Sequence, residues 1–332
     1  MSRPIFTTLA VALLPCAGWA EAPRVVADIP PVQSLVARVM QGVAEPALLI
    51  RPGASPHGYQ MKPSEAAALD AAQAVFFVGP ELTPWIERPL QSLATDAVQV
   101  ELLAAPGTVT LATRSAATFG GHDDAGAAPG GGMQGADRDA AGTDGPARDD
   151  AAADGHDHAH DHGGIDPHAW LDPENGKAWL AAIADELARL DPPNAATYAE
   201  NARAGAVEID AAAADTQAVV ASLGPLRFLV FHDAYQYFEN RFGLTAAGAV
   251  SVSDASTPSP ARIAELQQAV ATLDVTCALA EPQFDADLVT ALTQGHDVRT
   301  AVLDPVGAAL PPGPQMYPEL IRSIGAALEA CR

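Results

Sequence analysis

Two blocks of alternating apolar runs and helix-like stretches constrain the fold of this chain most strongly. In the first block, short apolar runs at 24–29, 47–50, 74–78 and 98–103 alternate with helical patterns at 31–43, 63–72 and 84–93. In the second block, apolar runs at 227–231, 246–250, 276–280 and 298–303 alternate with helical patterns at 235–242, 260–273, 285–294 and 316–330. Such alternation is typical of βαβ units and parallel sheets. We therefore predict an α/β fold with two lobes, each a parallel sheet with flanking helices.

Two helical stretches lie between these blocks. The first, 173–190, begins with Asp172 as its N-cap and Pro173 at its first position, where a missing N–H costs nothing. The second, 194–223, is rich in Ala and predicts one helix of roughly 45 Å. We expect it to join the lobes rigidly. The predicted division is an N-terminal lobe at 23–192, a linking helix at 193–223 and a C-terminal lobe at 224–332.

A segment of different composition interrupts the N-terminal lobe at residues 121–164. It contains ten Asp, two Arg and five His but no Lys or Glu, so its net charge is −8. It has almost no large apolar side chain, and it therefore buries too little surface to offset the entropy of ordering it. We predict a disordered acidic, His-rich insertion.

The N-terminus has the pattern of a secretory signal peptide. Arg3 is followed by a mostly apolar run at 5–14, and small residues at Ala20 and Ala22 offer cleavage points. The prediction is a signal peptide at 1–20, cleaved between 20 and 22, and export to the periplasm. The alternative is a short N-terminal core helix. No apolar run reaches the 18–20 or so residues of a membrane span.

Charge and cysteine content limit the partners and the compartment. The 332 residues carry a net charge of −23, which argues against a nucleic-acid partner, since such proteins present basic patches. Cys16 lies in the signal peptide, which leaves Cys277 and Cys331. In an oxidising compartment these two favour one disulfide, and two separate buried thiols are the alternative.

Four polar side chains follow predicted strands or precede a helix, where ligands bind in open parallel sheets. His57 comes after the second strand, His232 after the apolar run 228–231, and Asp304 after 301–303. His168 lies in a turn before a helix. A single such histidine is more often structural, but several at loop positions from two lobes favour a shared metal site. Imidazole nitrogen is a preferred ligand of zinc.

Four motifs, in order along 24–332, resemble one family. They are Gly53-Ala-Ser-Pro-His-Gly-Tyr59, Asp166-Pro-His-Ala-Trp-Leu-Asp-Pro173, Phe231-His-Asp-Ala-Tyr-Gln-Tyr-Phe238 and Ala280-Glu-Pro-Gln-Phe284. The chain resembles the metal-specific periplasmic binding proteins of ABC importers, and within them the zinc-uptake branch (cluster A-I). An acidic His-rich insertion before the second motif is also typical of that branch.

The resemblance implies one metal in the cleft between two lobes joined by a long helix. By motif position, the implied ligands are His57, His168 and His232. Manganese members carry a carboxylate at the position of His232, so nitrogen there favours Zn2+. The expected fourth ligand is Asp304, which matches a metal-binding aspartate of other members, and water is the alternative. Glu281 is expected to be a structural acceptor near the cleft.

The insertion offers a second, weaker set of ligands. Its histidines alternate with other residues in His156-Asp-His-Ala-His-Asp-His162. We expect His156, His158, His160 and His162 to capture zinc weakly and reversibly. The alternative is a solvated spacer whose composition merely tolerates disorder.

The resulting functional prediction is a periplasmic protein that captures zinc and delivers it to an ABC-type importer, with no enzymatic activity. The expected partners are the transmembrane permease with its cytoplasmic ATPase, and a periplasmic zinc metallochaperone is a further candidate. We expect a monomer. One alternative is a periplasmic zinc-dependent hydrolase, because three His ligands plus water is also a catalytic pattern. A metal-dependent adhesin or sensor would also fit the fold and export.

Overall fold

The computed structural model describes residues 21–114, 116–119, 164–251, 258–284 and 286–332. The predicted signal peptide at 1–20 and the predicted insertion, except Gly164, lie outside the described residues. Within the described part of the chain, no helix combines the length and the hydropathy that crossing a bilayer requires.

The first sheet contains four parallel strands in the spatial order β2-β1-β3-β4. The strands are β1 (Val25–Ala27), β2 (Ala47–Leu48), β3 (Ala74–Phe77) and β4 (Val98–Glu101), and the helices between them are α1 (Pro30–Val39), α2 (Pro63–Asp70) and α3 (Glu87–Leu93). Every residue of β1 and β3 is buried, as expected of central strands in a sheet whose faces are covered. The loop after β2 carries His57.

The second sheet repeats this topology with the order β6-β5-β7-β8. Its strands are β5 (Phe228–His232), β6 (Gly248–Ser251), β7 (Cys277–Ala280) and β8 (Arg299–Val302); its helices are α6 (Gln236–Phe242), α7 (Pro260–Thr272), α8 (Ala286–Thr293) and α9 (Met316–Glu329). The strand order reverses between β5 and β7, so a crevice opens at their carboxyl ends, where open α/β sheets bind ligands. The predicted two-lobe α/β fold is confirmed.

Two long helices connect the sheets. In α4 (Pro173–Leu190), the Asp172 side chain accepts a hydrogen bond from Glu174 N at 2.9 Å, as the predicted N-cap requires. The following α5 (Ala195–Leu223) has 29 residues and is therefore roughly 44 Å long, which confirms the predicted long joining helix. α5 packs against α4 and α9. The packing depends on small residues, because a methyl group on Gly325 would lie 2.9 Å from Thr216 Cγ2.

The last helix of the chain returns to the first. Ser34 Oγ, on α1, donates to Gly313 O at 2.7 Å and accepts from Tyr317 N at 2.9 Å. The Tyr317 hydroxyl donates to Trp170 O at 2.7 Å. One hydrophobic cluster contains buried residues of both α1 and α9. The two lobes therefore share a continuous core behind the crevice.

The segment that leads into the insertion lies along the second sheet. Thr118 forms an antiparallel bridge with Gly248 on the edge strand β6, and Phe119 N donates to Ala247 O at 2.8 Å. The contact requires a glycine, because a Cβ on Gly248 would lie 2.2 Å from Ala117 O. Nothing in the periodicity of this segment predicts such an edge pairing.

Cys277 and Cys331 form a disulfide, with their Cα atoms 5.3 Å apart. The predicted bridge is therefore confirmed, and the alternative of two separate thiols is wrong. Because Cys277 begins β7 and Cys331 follows α9, the bridge fastens the end of the chain to the second sheet.

Candidate metal centre

His57 lies in the half-buried loop that follows β2. The loop is held from the side by Trp85, whose Nε1 donates to Pro56 O at 2.8 Å. Gly53 has a φ of +79°, a left-handed conformation that a residue with a side chain adopts with strain. The ring of His57 is 5.7 Å from that of His168, measured between centroids. The loop therefore places His57 near His168, a second predicted ligand.

His168 is buried and is oriented by a carboxylate two residues before it. Asp166 Oδ1 lies 2.7 Å from His168 Nδ1 and also accepts from His168 N at 3.0 Å. The two side chains are 6% and 3% exposed, so this contact is shielded from water. Burial raises the pKa of Asp166 to about 7, while the His168 N–H and the charge of Arg114 act in the opposite direction.

His232 has the same arrangement in the other lobe. It ends β5, and Glu281, which directly follows β7, places Oε1 at 2.7 Å from His232 Nδ1. Glu281 Oε1 also accepts from His232 N at 3.3 Å. The pair spans the point at which the strand order of the second sheet reverses. Glu281 is thus an acceptor at the cleft, as the sequence predicts.

The Nε2 atoms of His168 and His232 face each other across the cleft. His168 Nε2 and His232 Nε2 are 3.3 Å apart. When each Nδ1 carries the proton that its carboxylate accepts, both Nε2 atoms present lone pairs to the same point, an arrangement that favours a cation between them. A tetrahedral zinc with Zn–N bonds of about 2.0–2.1 Å separates two nitrogens by about 3.3–3.4 Å. The separation of this pair therefore suits zinc.

His57 lies near this pair, but its ring is farther from His168 than the ring of His232 is. The ring centroids of His168 and His232 are 5.1 Å apart, against 5.7 Å for His57 and His168. Across the ranges that the structure describes, no three His, Cys, Asp or Glu side chains form a ready-made metal-binding group. Coordination by all three histidines therefore requires a small shift of His57 towards the other two.

Asp304 uses its carboxylate to organise the turn that follows β8. Oδ1 accepts from Val306 N at 3.1 Å and from Gly307 N at 2.9 Å, and Oδ2 accepts from Ala308 N at 2.6 Å. Gln283 Nε2 lies 3.4 Å from Oδ1. The sequence predicts Asp304 as the fourth ligand. That role stays a prediction, and the structure adds a second role, in the backbone of the turn.

A small cavity lies beside the facing imidazoles. Its volume is about 10 Å3, close to the space that one water needs. His168 and His232 line it together with Ser55, Trp170 and Gln283. A cavity of this size has room for an ion or a water. The predicted auxiliary ligands His156, His158, His160 and His162 lie outside the described residues.

A buried ion-pair cluster next to His232 was not predicted from the sequence. Arg114 donates to the carboxylate of Asp233 through Nε and Nη2, and Nε lies 3.0 and 3.1 Å from the two carboxylate oxygens. Arg114 also donates to Glu239, through Nη2 at 2.9 Å and Nη1 at 3.1 Å. Burial alone would lower the pKa of Arg114, but the hydrogen bonds and charges of Glu239 and Asp233 raise it above its usual value. The cluster fixes the residue that follows His232. The partners are separated by more than 100 positions, and no local pattern marks them.

Comparison with known proteins identifies the family of the chain. A family model described as "ZnuA: Zinc-uptake complex component A periplasmic" matches residues 25–331. The chain is 42% identical over 334 residues to the high-affinity zinc uptake system protein ZnuA of Paracoccus denitrificans (strain Pd 1222), which covers 100% of this chain and 99% of the relative. It is also 42% identical over 316 residues to the protein of that name from Brucella abortus (strain 2308), with 94% and 92% covered.

A solved structure shares the fold. The crystal structure of a ZnuA superposes with a TM-score of 0.68 at 22% identity, and the match covers 92% of this chain and 99% of that one. At this identity the likeness establishes the fold alone. The family match and the two relatives extend over almost the whole sequence. The chain therefore belongs to the family of periplasmic A components of zinc-uptake complexes.

Proposed function

We propose that this protein captures one zinc ion between its lobes with His57, His168 and His232 and delivers it to an ABC-type importer. The observation that carries the proposal is the 3.3 Å separation of His168 Nε2 and His232 Nε2, each imidazole backed by a buried carboxylate. Carboxylates behind metal-binding histidines set the tautomer and raise the basicity of the ligand nitrogen. Asp304 or a water completes the coordination.

Zinc is the metal that this donor set fits best. The nitrogen of His232 stands where a carboxylate would favour a harder ion such as manganese. In addition, the spacing of the two Nε2 atoms matches short Zn–N bonds. Zinc is therefore the transported substrate, and it is held by neutral imidazoles. We propose weak additional capture by His156, His158, His160 and His162.

Membership of the family places the protein in a transport system. The family is the substrate-binding component of an ABC zinc importer, which works with a permease and an ATPase in the membrane, and it is periplasmic. We further propose that residues 1–20 are a cleaved signal peptide and that the mature protein acts as a monomer. A periplasmic zinc metallochaperone is a candidate donor of the metal. The proposed lobes are 23–192 and 224–332, joined by 193–223.

The hydrolase alternative has no support. The family consists of solute-binding transport proteins. We propose that the zinc-loaded protein has no hydrolytic activity. Incubation with p-nitrophenyl acetate and p-nitrophenyl phosphate should give no zinc-dependent turnover above that of free zinc.

Metal titration of single variants tests the proposed site. His57→Ala, His168→Ala and His232→Ala should each weaken zinc binding by at least about a hundredfold, since each removes a direct ligand. His296→Ala is the matched control, because His296 is exposed and lies in the loop after α8. Affinities are measured by competition with a chromophoric chelator. Wild-type affinity in all three site variants would refute the proposed ligand set.

A further inference from the structure

Two oxygen atoms in the metal cavity have no hydrogen-bond partner among the residues that the structure describes. They are Ser55 Oγ, in the loop after β2, and Gln283 Oε1, in the loop after β7, and both atoms are buried. Both side chains line the same cavity as His168 and His232. Both oxygens can accept a hydrogen bond, and a buried acceptor without a donor is unfavourable. The cavity is therefore suited to a small ligand that donates hydrogen bonds.

The orientation of the Gln283 amide follows from its other contact. Its Nε2 faces Asp304 Oδ1 at 3.4 Å, an oxygen that accepts only. The amide nitrogen is therefore directed at Asp304, and Oε1 is left for the cavity. Three backbone N–H groups hold the Asp304 carboxylate in turn. Asp304 thus positions Gln283 from a fixed point.

We propose that Ser55 and Gln283 hold a water molecule on the bound zinc by accepting its two hydrogen bonds, with Asp304 as a positioning residue rather than a ligand. The inference rests on the proposed zinc site. Three imidazole nitrogens leave one position of a tetrahedral zinc open. A water bound there through its oxygen keeps two O–H donors. The cavity supplies two acceptors, one from each lobe, and space for about one water.

Affinity measurements on the full-length protein test the inference. Gln283→Leu and Ser55→Ala should each weaken zinc binding by about tenfold, the usual effect of losing a group that supports a metal's ligand shell. Gln294→Leu, the same change at an exposed site, should have no effect. Asp304→Asn should cost no more than Gln283→Leu, and its effect on zinc affinity should be smaller in a Gln283→Leu background than in the wild type, because Asp304 acts on the water through Gln283.

Different outcomes separate this inference from the proposed function. Failure of the wild type to bind zinc tightly would overturn both. Tight binding by the wild type with no loss in Gln283→Leu and Ser55→Ala would overturn only the inference. A crystal structure of the zinc-loaded wild type should show a water on the metal within about 3 Å of both oxygens. A direct bond from Asp304 or Gln283 to zinc would contradict the inference.

Discussion

At the scale of single residues, two buried carboxylates decide what the cleft histidines present to a metal. Asp166 lies two positions before His168, whereas Glu281 reaches His232 from 49 positions away along the chain. Their positions direct both Nδ1 protons away from the cleft and both Nε2 atoms into it. The sequence locates the histidines through their motifs. It does not reveal that Nδ1 of His232 faces Glu281, because that contact depends on the register of β5 and β7.

Asp28 is a buried acid outside the metal site, and it should make the stability of the metal-free protein depend on pH. Burial raises its pKa from 3.8 to about 7, although the N–H groups of Val78 and Ile29 oppose the shift. Since the folded-state pKa lies above the unfolded one, protonation stabilises the folded state. This contribution is fully present below about pH 4 and is lost as the pH rises through 7.

The test compares how the free energy of unfolding depends on pH in the wild type and in Asp28→Asn. In EDTA, the free energy of unfolding should drop between pH 5 and pH 7.5 by on the order of 2 kcal/mol more in the wild type than in Asp28→Asn. Urea unfolding at the two pH values measures it. Asp70→Asn, an exposed change at the end of α2, should keep the wild-type dependence. Equal pH dependence in the wild type and Asp28→Asn would show that Asp28 does not titrate in this range.

At the scale of elements, the sequence predicts all eight strands and the nine α-helices of the described residues, with ends that differ by a few positions. The bounds of α4 are predicted without error because a capping Asp and Pro173 mark its start. β1 is shorter than predicted and ends at Ala27, and the carboxylate of the next residue, Asp28, accepts from the backbone N–H groups of Ile29 and Val78. The edge pairing of Thr118 with Gly248 could not be predicted, because it joins distant segments without a periodic pattern.

The disulfide is the covalent link between two elements, β7 and the end of α9, and its role should be structural. Replacing Cys277 and Cys331 together by Ser should lower the free energy of unfolding by about 4 kcal/mol, the chain-entropy estimate for a closed loop of this length. The zinc site should remain, because neither sulfur is among the proposed ligands. Denaturant unfolding and chelator competition on the same double variant measure the two properties. Loss of tight zinc binding in a folded double variant would make the cysteines part of the site.

At the scale of the whole molecule, tight zinc binding in the cleft should not depend on the insertion. The proposed ligands His57, His168 and His232 lie in the described residues, and the description resumes at Gly164, whose carbonyl accepts from Thr113 N at 2.7 Å. Replacing residues 121–163 by a short Gly-Ser linker should therefore leave the melting temperature and one tight zinc site unchanged. The number of weakly bound zinc equivalents should fall, because five histidines are removed. Calorimetric titration measures both classes, and unchanged stoichiometry would reduce the insertion to a spacer.

The return of α9 to α1 has a consequence for the order of events during synthesis. The hydrogen bonds of Ser34 with Gly313 and Tyr317 link segments about 280 positions apart in the chain. During synthesis or secretion, the N-terminal lobe emerges before α9. Until α9 emerges, the part of the α1 surface that α9 covers is exposed. A holdase chaperone present in this interval should therefore bind the chain at α1. Completion of the chain, rather than of either lobe, is then the step that commits the molecule to its native state.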